Sequence, residues 1–159
     1  MAAEKALKRR HVHMFGGSSL ADPVCYRRVA SIVEQQVGGN ELVVVSAARK
    51  TTNRLIQLVE LAEAGDEAAG EAITALHAYQ QSLIDGLLEG ELHLDLSQQL
   101  TDDMQLIAKT LEGQFDRFER NGLLAFGEVW SARLLAALLT SRGDKAIWHA
   151  QTRNGERES

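Results

Sequence analysis

Residues Glu41 to Ala47 read ELVVVSA, a continuous β-branched run without polar alternation. Such a run marks a strand covered on both faces, the situation of a parallel sheet. A parallel partner requires a crossover connection, and the chain before the run supplies one. His11 to Phe15 alternates weakly and stops at Gly16-Gly17, which predicts a first strand broken by a glycine turn. Asp22 followed by Pro23 is a helix start, an N-cap acid with proline at the first helical position. Cys25, Val29, Ile32, Val33 and Val37 then recur at helical spacing until Gly38-Gly39. Strand, glycine turn, helix and strand predict a right-handed βαβ unit whose strands are His11–Phe15 and Glu41–Ser46.

The middle of the chain is helical by pattern. Leu55, Leu58, Val59 and Ala62 form one stripe ending at Gly65. Ile73, Leu76, Leu83, Ile84 and Leu87 form a second, closed by Gly90, and Leu100, Met104, Ile107 and Leu111 a third. These stripes are core faces first, with a helical subdomain or lid as the alternative. Glu128 to Ser141 predicts a fourth, very apolar helix opened by Gly127-Glu128 and ended by Gly143. Ala146 to His149 predicts a further strand, and Gln151 to Ser159 is polar and unpatterned, as a frayed terminus is.

Composition excludes several classes. With 159 residues, 45% hydrophobic and 25% charged, the chain suits one globular domain. A net charge of −5 gives no general attraction to nucleic acid or anionic lipid. The basic cluster Lys5, Lys8, Arg9 and Arg10 is short and reads as a solvated tail over residues 1–10. The single cysteine, Cys25, cannot form an internal disulfide and is expected as a small buried apolar residue. No apolar segment follows the charges of the opening MAAEKALKRR, and the greasy run Leu134–Leu139 is too short to span a bilayer. A soluble, cytoplasmic chain is therefore expected.

Three places offer chemistry. Gly16, Gly17, Ser18 and Ser19 follow a strand and precede a helix, so their N–H groups and hydroxyls suit a phosphate cradle, or simply a tight turn. Neither GxxxxGK[ST] nor GxGxxG is present. Ser46 to Asn53 (SAARKTTN) leaves the carboxyl end of the second strand, where open parallel sheets bind ligands. Thr and Asn there suit helix capping or substrate contact. Glu128, at an expected helix start, is stabilised by the helix dipole and is also placed to hold a substrate ammonium. His11 and His13 would share a strand face, but no further Cys/His/Asp cluster completes a metal set, and none is expected.

His13–Asp22 (HMFGGSSLAD), Val43–Leu55 (VVVSAARKTTNRL) and Gly127–Leu134 (GEVWSARL) together resemble aspartokinases, in order and in spacing. The likeness is greatest to the kinase portion of bifunctional aspartokinase–homoserine dehydrogenases of the methionine-linked type. It runs from about Arg10 to Ala150. The resemblance implies an α/β fold: the N-terminal portion of the amino-acid-kinase αβα sandwich, with a parallel sheet and a helical insertion. It divides the chain into the basic tail 1–10, a partial kinase domain 11–150 and a polar tail 151–159. It implies phosphorylation of the side-chain carboxylate of L-aspartate by Mg·ATP, with Mg·ATP as a cosubstrate and no tightly held cofactor. Gly16, Gly17, Ser18 and Ser19 would face the transferring phosphate. Ser46, Thr52 and Glu128 would face aspartate, Glu128 holding its α-ammonium.

The departures from the family pattern shape the expectation. Met14 stands where K-F-G-G-[ST]-S has lysine, and losing one such charge costs roughly 10²–10³ in rate. Arg49 stands at a family glycine; if that backbone is left-handed, the cost is about 1–2 kcal/mol. His149-Ala150-Gln151 replaces Asp-Ala-Arg. The family's glycine-rich nucleotide segment is not found in these residues. The expectation is an acceptor-binding lobe, catalytically deficient alone, that self-associates or joins a missing C-terminal half. An exposed strand at Ala146–His149 and uncovered Val129, Leu135 and Leu139 would drive that association. A non-catalytic interaction module is the alternative. Acetylglutamate or carbamate kinases are a second, disfavoured by Thr51-Thr52-Asn53 and by the segment that begins at Gly127.

Overall fold

The computed structural model describes residues 11–36, 41–151 and 157–158. The expected tail 1–10, the helix stop at Gly38-Gly39 and most of the polar tail lie outside the described residues. Strands β1 (Val12–Phe15) and β2 (Leu42–Val45) pair in parallel, with Val12 opposite Leu42 and Phe15 opposite Val45. Between them, a turn of 3-10 helix at Gly17–Leu20 leads into α1 (Pro23–Glu34). The Asp22 side chain accepts from the Cys25 N–H at 2.8 Å and Pro23 opens the helix, as the sequence predicts. The face that α1 buries is rotated by one residue from the expected stripe. Tyr26, Val29 and Ala30 are buried, Cys25 is half-buried and Ile32 is exposed. Tyr26 takes the core position because its hydroxyl reaches a buried partner, Ser131 Oγ, at 3.2 Å.

Four helices follow: α2 (Thr51–Glu63), α3 (Ala68–Leu87), α4 (Gly90–Glu112) and α5 (Arg117–Ser141). The three expected stripes are core faces. Leu55, Leu58, Val59, Leu76, Leu83, Ile84, Leu100, Met104 and Ile107 are all buried in one continuous core with α5. The α3–α4 hairpin therefore belongs to that core and is no separate lid. It is fastened to α5 by Asp103, whose Oδ2 accepts from Trp130 Nε1 at 2.9 Å and from Arg133 at 2.6 Å.

Helix α5 begins well before the expected Glu128. Asp116 and Glu119 form a reciprocal capping box, each side chain accepting from the other's backbone N–H at 2.8–2.9 Å. By length and composition α5 is apolar enough to cross a membrane. Here it packs against α1, α2, α4 and β2 as the central helix. Leu135 and Leu139, expected to lack cover, are buried at 4% and 7% exposure. No strand forms at Ala146–His149; instead a short antiparallel ladder pairs β3 (Ala150–Gln151) with β4 (Arg157–Glu158).

The β1–β2 pair is covered on one face only. Phe15, Val43 and Val45 pack against the core, while Val12, Met14, Leu42 and Val44 are 57%, 78%, 56% and 43% exposed. Because side chains alternate and the strands are in register, those four form one outward apolar face. At the strand starts, His13 Nε2 lies 3.1 Å and His11 Nδ1 3.6 Å from the Glu41 carboxylate.

Candidate functional site

Past the carboxyl ends of β1 and β2, two loops, the first turn of α2 and α5 surround a cleft of about 330 Å3. It is lined by Gly17 from the turn after β1, by Ser46, Ala47, Ala48, Lys50, Thr52 and Asn53 from the segment after β2, and by Glu128 of α5. The geometry depends on close backbone approach. Gly17 carries no left-handed strain; its use is space, since a β-carbon there would lie 2.8 Å from the Ala47 carbonyl oxygen. Gly127 lets α5 lie against the same loop, where a β-carbon would meet the Ala47 methyl at 2.7 Å and Thr51 Cγ2 at 3.2 Å. The loop after β2 is thus gripped between the glycine turn and α5. Its exit is held too, as Gln80 Nε2 donates to the buried Thr51 Oγ1 at 2.9 Å.

Gly17, Ser46, Thr52 and Glu128, expected to be site residues, come together from three separate segments. Gly16, Ser18 and Ser19 occupy the same turn without lining the cleft, and the Ser19 N–H closes that turn onto the Gly16 carbonyl at 3.0 Å. Met14 faces outward on β1 and does not line the cleft either. Glu128 lies roughly three turns inside α5, so the helix-dipole argument for it does not hold. Capping by Thr or Asn is not observed: the N-cap of α2 is Lys50, and no side chain caps it. Nor does the left-handed strain fall on Arg49. Lys50 is the non-glycine with positive φ among the described residues, at 61°, a conformation that costs lysine about 1–2 kcal/mol. Asn53, weighed for capping or substrate contact, lines the cleft from the first turn of α2, whereas sequence reasoning did not single out Lys50. The available signal was a cation placed beyond a parallel strand's carboxyl end.

The cleft is polar around its rim, and Ser46, Lys50, Asn53 and Glu128 are exposed to solvent. Among the described residues no group of three or more His, Cys, Asp or Glu side chains is placed to hold a metal ion. A small polar solute with a positive group could therefore be met by Glu128 and by the hydroxyls of Ser46 and Thr52.

The sequence profile of the amino acid kinase family matches residues 9–158. The chain belongs to the amino acid kinase family. Among family members, it is 38% identical over 146 residues to bifunctional aspartokinase/homoserine dehydrogenase 2 of Escherichia coli, covering 92% of this chain and 18% of that protein. It is 32% identical over 148 residues to the chloroplastic aspartokinase 3 of Arabidopsis thaliana, covering 85% of this chain and 24% of the relative. The structure superposes on E. coli aspartokinase III in complex with aspartate and ADP with a TM-score of 0.69 and 26% identity, over 85% of this chain and 30% of that one. The aspartokinase resemblance and the amino-acid-kinase α/β fold both stand. The chain spans 18–30% of the length of these three relatives.

Proposed function

We propose that the cleft is the acceptor site of an aspartate kinase and binds L-aspartate. The observation that carries this reading is the convergence of Gly17, Ser46, Thr52 and Glu128 on one cleft of about 330 Å3, a volume within the usual range for small-molecule sites. Glu128 accepts from the α-ammonium, while Ser46 and Thr52 contact the acceptor. The turn holding Gly16, Gly17, Ser18 and Ser19 faces the phosphoryl group. In the complete reaction a side-chain carboxylate oxygen of aspartate attacks the γ-phosphorus of ATP. The bond from that phosphorus to the β–γ bridging oxygen breaks, giving 4-phospho-L-aspartate and ADP. Mg2+ would arrive on the nucleotide phosphates. This is the step that opens lysine, threonine and methionine biosynthesis, and its setting would be cytoplasmic.

These 159 residues are the acceptor-binding part of that machinery and do not turn over alone. Phosphoryl transfer is almost wholly positioning and electrostatics, and both Met14 and the small share of the relatives' length argue that the donor is not positioned here. Two measurements test the reading. Calorimetric titration should show L-aspartate binding that Glu128→Gln weakens. A hydroxamate assay with aspartate and Mg·ATP should show no turnover above a blank, and Met14→Lys should not restore it. Turnover that copurifies with the chain would overturn the deficiency.

The outward apolar face of β1 and β2 favours a second reading, an interaction module. Its occupant is the remainder of an amino-acid-kinase domain, carried on the same polypeptide or on a partner. A fold match covering 85% of this chain but 30% of the relative leaves ample kinase polypeptide to cover that face.

A further inference from the structure

The cleft holds two opposite charges that do not neutralise each other. Glu128 is the carboxylate and Lys50 the cation among its lining residues. Neither takes part in an ion pair among the described residues, although His11, His13, His93, Arg120, Arg133 and Arg142 all do. An ammonium and a carboxylate that share a cleft without pairing with each other match a dipolar solute.

The placement of Lys50 has a conformational cost of its own. It holds φ at 61° where glycine would be unstrained, directly before α2. Such strain persists where the surroundings over-determine it, and it concentrates at ligand clamps. Here the surroundings are Ala47, held between Gly17 and Gly127, and the buried Ala48 beside it. Arg49, the neighbouring cation, does not line the cleft. Position 14 faces away from the cleft, so among its lining residues the positive charge comes from Lys50 on the other loop.

We propose that Lys50 holds the side-chain carboxylate of the acceptor while Glu128 holds its ammonium, so that Lys50 makes the site select an amino acid with an anionic end. The proposal rests on the acceptor-site reading above and adds the residue that sets its specificity. A lysine ammonium donating to a carboxylate is a charge-assisted hydrogen bond, stronger than its neutral counterpart. Replacing the carboxylate by an amide removes the charge from the ligand, and replacing the lysine removes it from the protein. The two changes should therefore not add.

The test is calorimetric titration of the 159-residue chain with L-aspartate and with L-asparagine, for wild type, Lys50→Gly, Lys50→Arg, Arg49→Gly and Glu128→Gln. Wild type should prefer aspartate. Lys50→Gly should weaken aspartate binding by about tenfold to a hundredfold and leave asparagine binding unchanged. Lys50→Arg should keep the greater part of the preference, and Arg49→Gly all of it. Lys50→Gly should also melt no lower than wild type, because glycine relieves the left-handed strain, so lost binding cannot be ascribed to lost folding. If Lys50→Gly keeps the preference for aspartate while Glu128→Gln weakens both ligands, the role of Lys50 is overturned and the acceptor site stands. If wild type binds neither ligand up to millimolar concentrations, both are overturned.

Discussion

Gly127 of α5 lies so close to Ala47 that a β-carbon on residue 127 would come within 2.7 Å of the Ala47 methyl. The floor of the cleft is thus set by a helix pressed on a loop. Gly127→Ala gains about 1 kcal/mol of helix propensity but must displace both Ala47 and Thr51 Cγ2, and overpacking of this kind costs about 1–3 kcal/mol. The clash should win, lowering stability by roughly 1 kcal/mol. Gly122→Ala, on the same helix with nothing within 4 Å of its β-carbon, should instead raise stability by about 1 kcal/mol. Urea unfolding of the two variants checks the opposite signs; stabilisation by both would show that α5 does not press on this loop.

The buried bond from Gln80 to Thr51 ties α3 to the start of α2. Gln80→Met keeps the side-chain length and removes the donor, which should cost about 1–3 kcal/mol, because the Thr51 hydroxyl is left buried. Thr51→Val made together with it should cost less than the sum of the two single changes. A double-mutant cycle reads the coupling, expected at about 0.5–1.5 kcal/mol; strict additivity would remove this bond from the account.

Both tyrosines resist ionisation. Burial is the main cause of the upward shift of the Tyr26 phenol, offset in part by its hydrogen bond with Ser131. Burial also raises Tyr79, with Arg54 pulling the other way from 4.4 Å over its ring. A phenol raised on folding contributes stability that is fully present below the unfolded value near 10.0 and is lost as pH climbs above it. Spectrophotometric titration should therefore show phenolate appearing above pH 10 and in step with loss of helical circular dichroism. A tyrosine that ionises near pH 10 with the helices intact would contradict this. Tyr26→Phe should blunt the alkaline loss of stability.

The bare face of the β1–β2 pair should make the isolated chain associate. Light scattering at tens of micromolar is expected to give a mass above the 17.5 kDa of one chain. Met14→Lys and Val44→Thr, both on that outward face, should shift it towards one chain without lowering the melting temperature. A monomer at high micromolar concentration that binds no apolar dye would show that the face needs no cover.

Much of the fold could be read directly from the residues. The β-branched run at Val43–Val45 and the glycine stop after Phe15 define the parallel pair, and Asp22-Pro23 marks the start of α1. What escaped was set by contacts distant in sequence. The first turns of α5 hide behind charged residues and Gly122, although Asp116-x-x-Glu119 carried the capping signature. That Lys50 and not Arg49 turns left-handed goes with the seating of Ala47 between Gly17 and Gly127, something no local pattern encodes. Tyr26 displaces Cys25 from the core face because Ser131, far along the chain, awaits its hydroxyl. Ser46, Thr52 and Glu128, singled out from the sequence, do line one cleft, but Glu128 is not at the helix start expected for it. It reaches the cleft from within a helix, carried there by the packing at Gly127.

The double grip on the loop after β2 divides the site into two mutational classes. Gly17, Ala47, Thr51 and Gly127 hold the loop by contact, so a change at any of them alters folding and the shape of the cleft together. Lys50 and Glu128 are exposed and make no ion pair among the described residues, so they can be exchanged while the scaffold stays intact. A lineage drifting from this sequence can therefore revise what the cleft accepts by single steps at two surface positions. It can lose the cleft itself only by steps that also threaten the protein's survival in the cell.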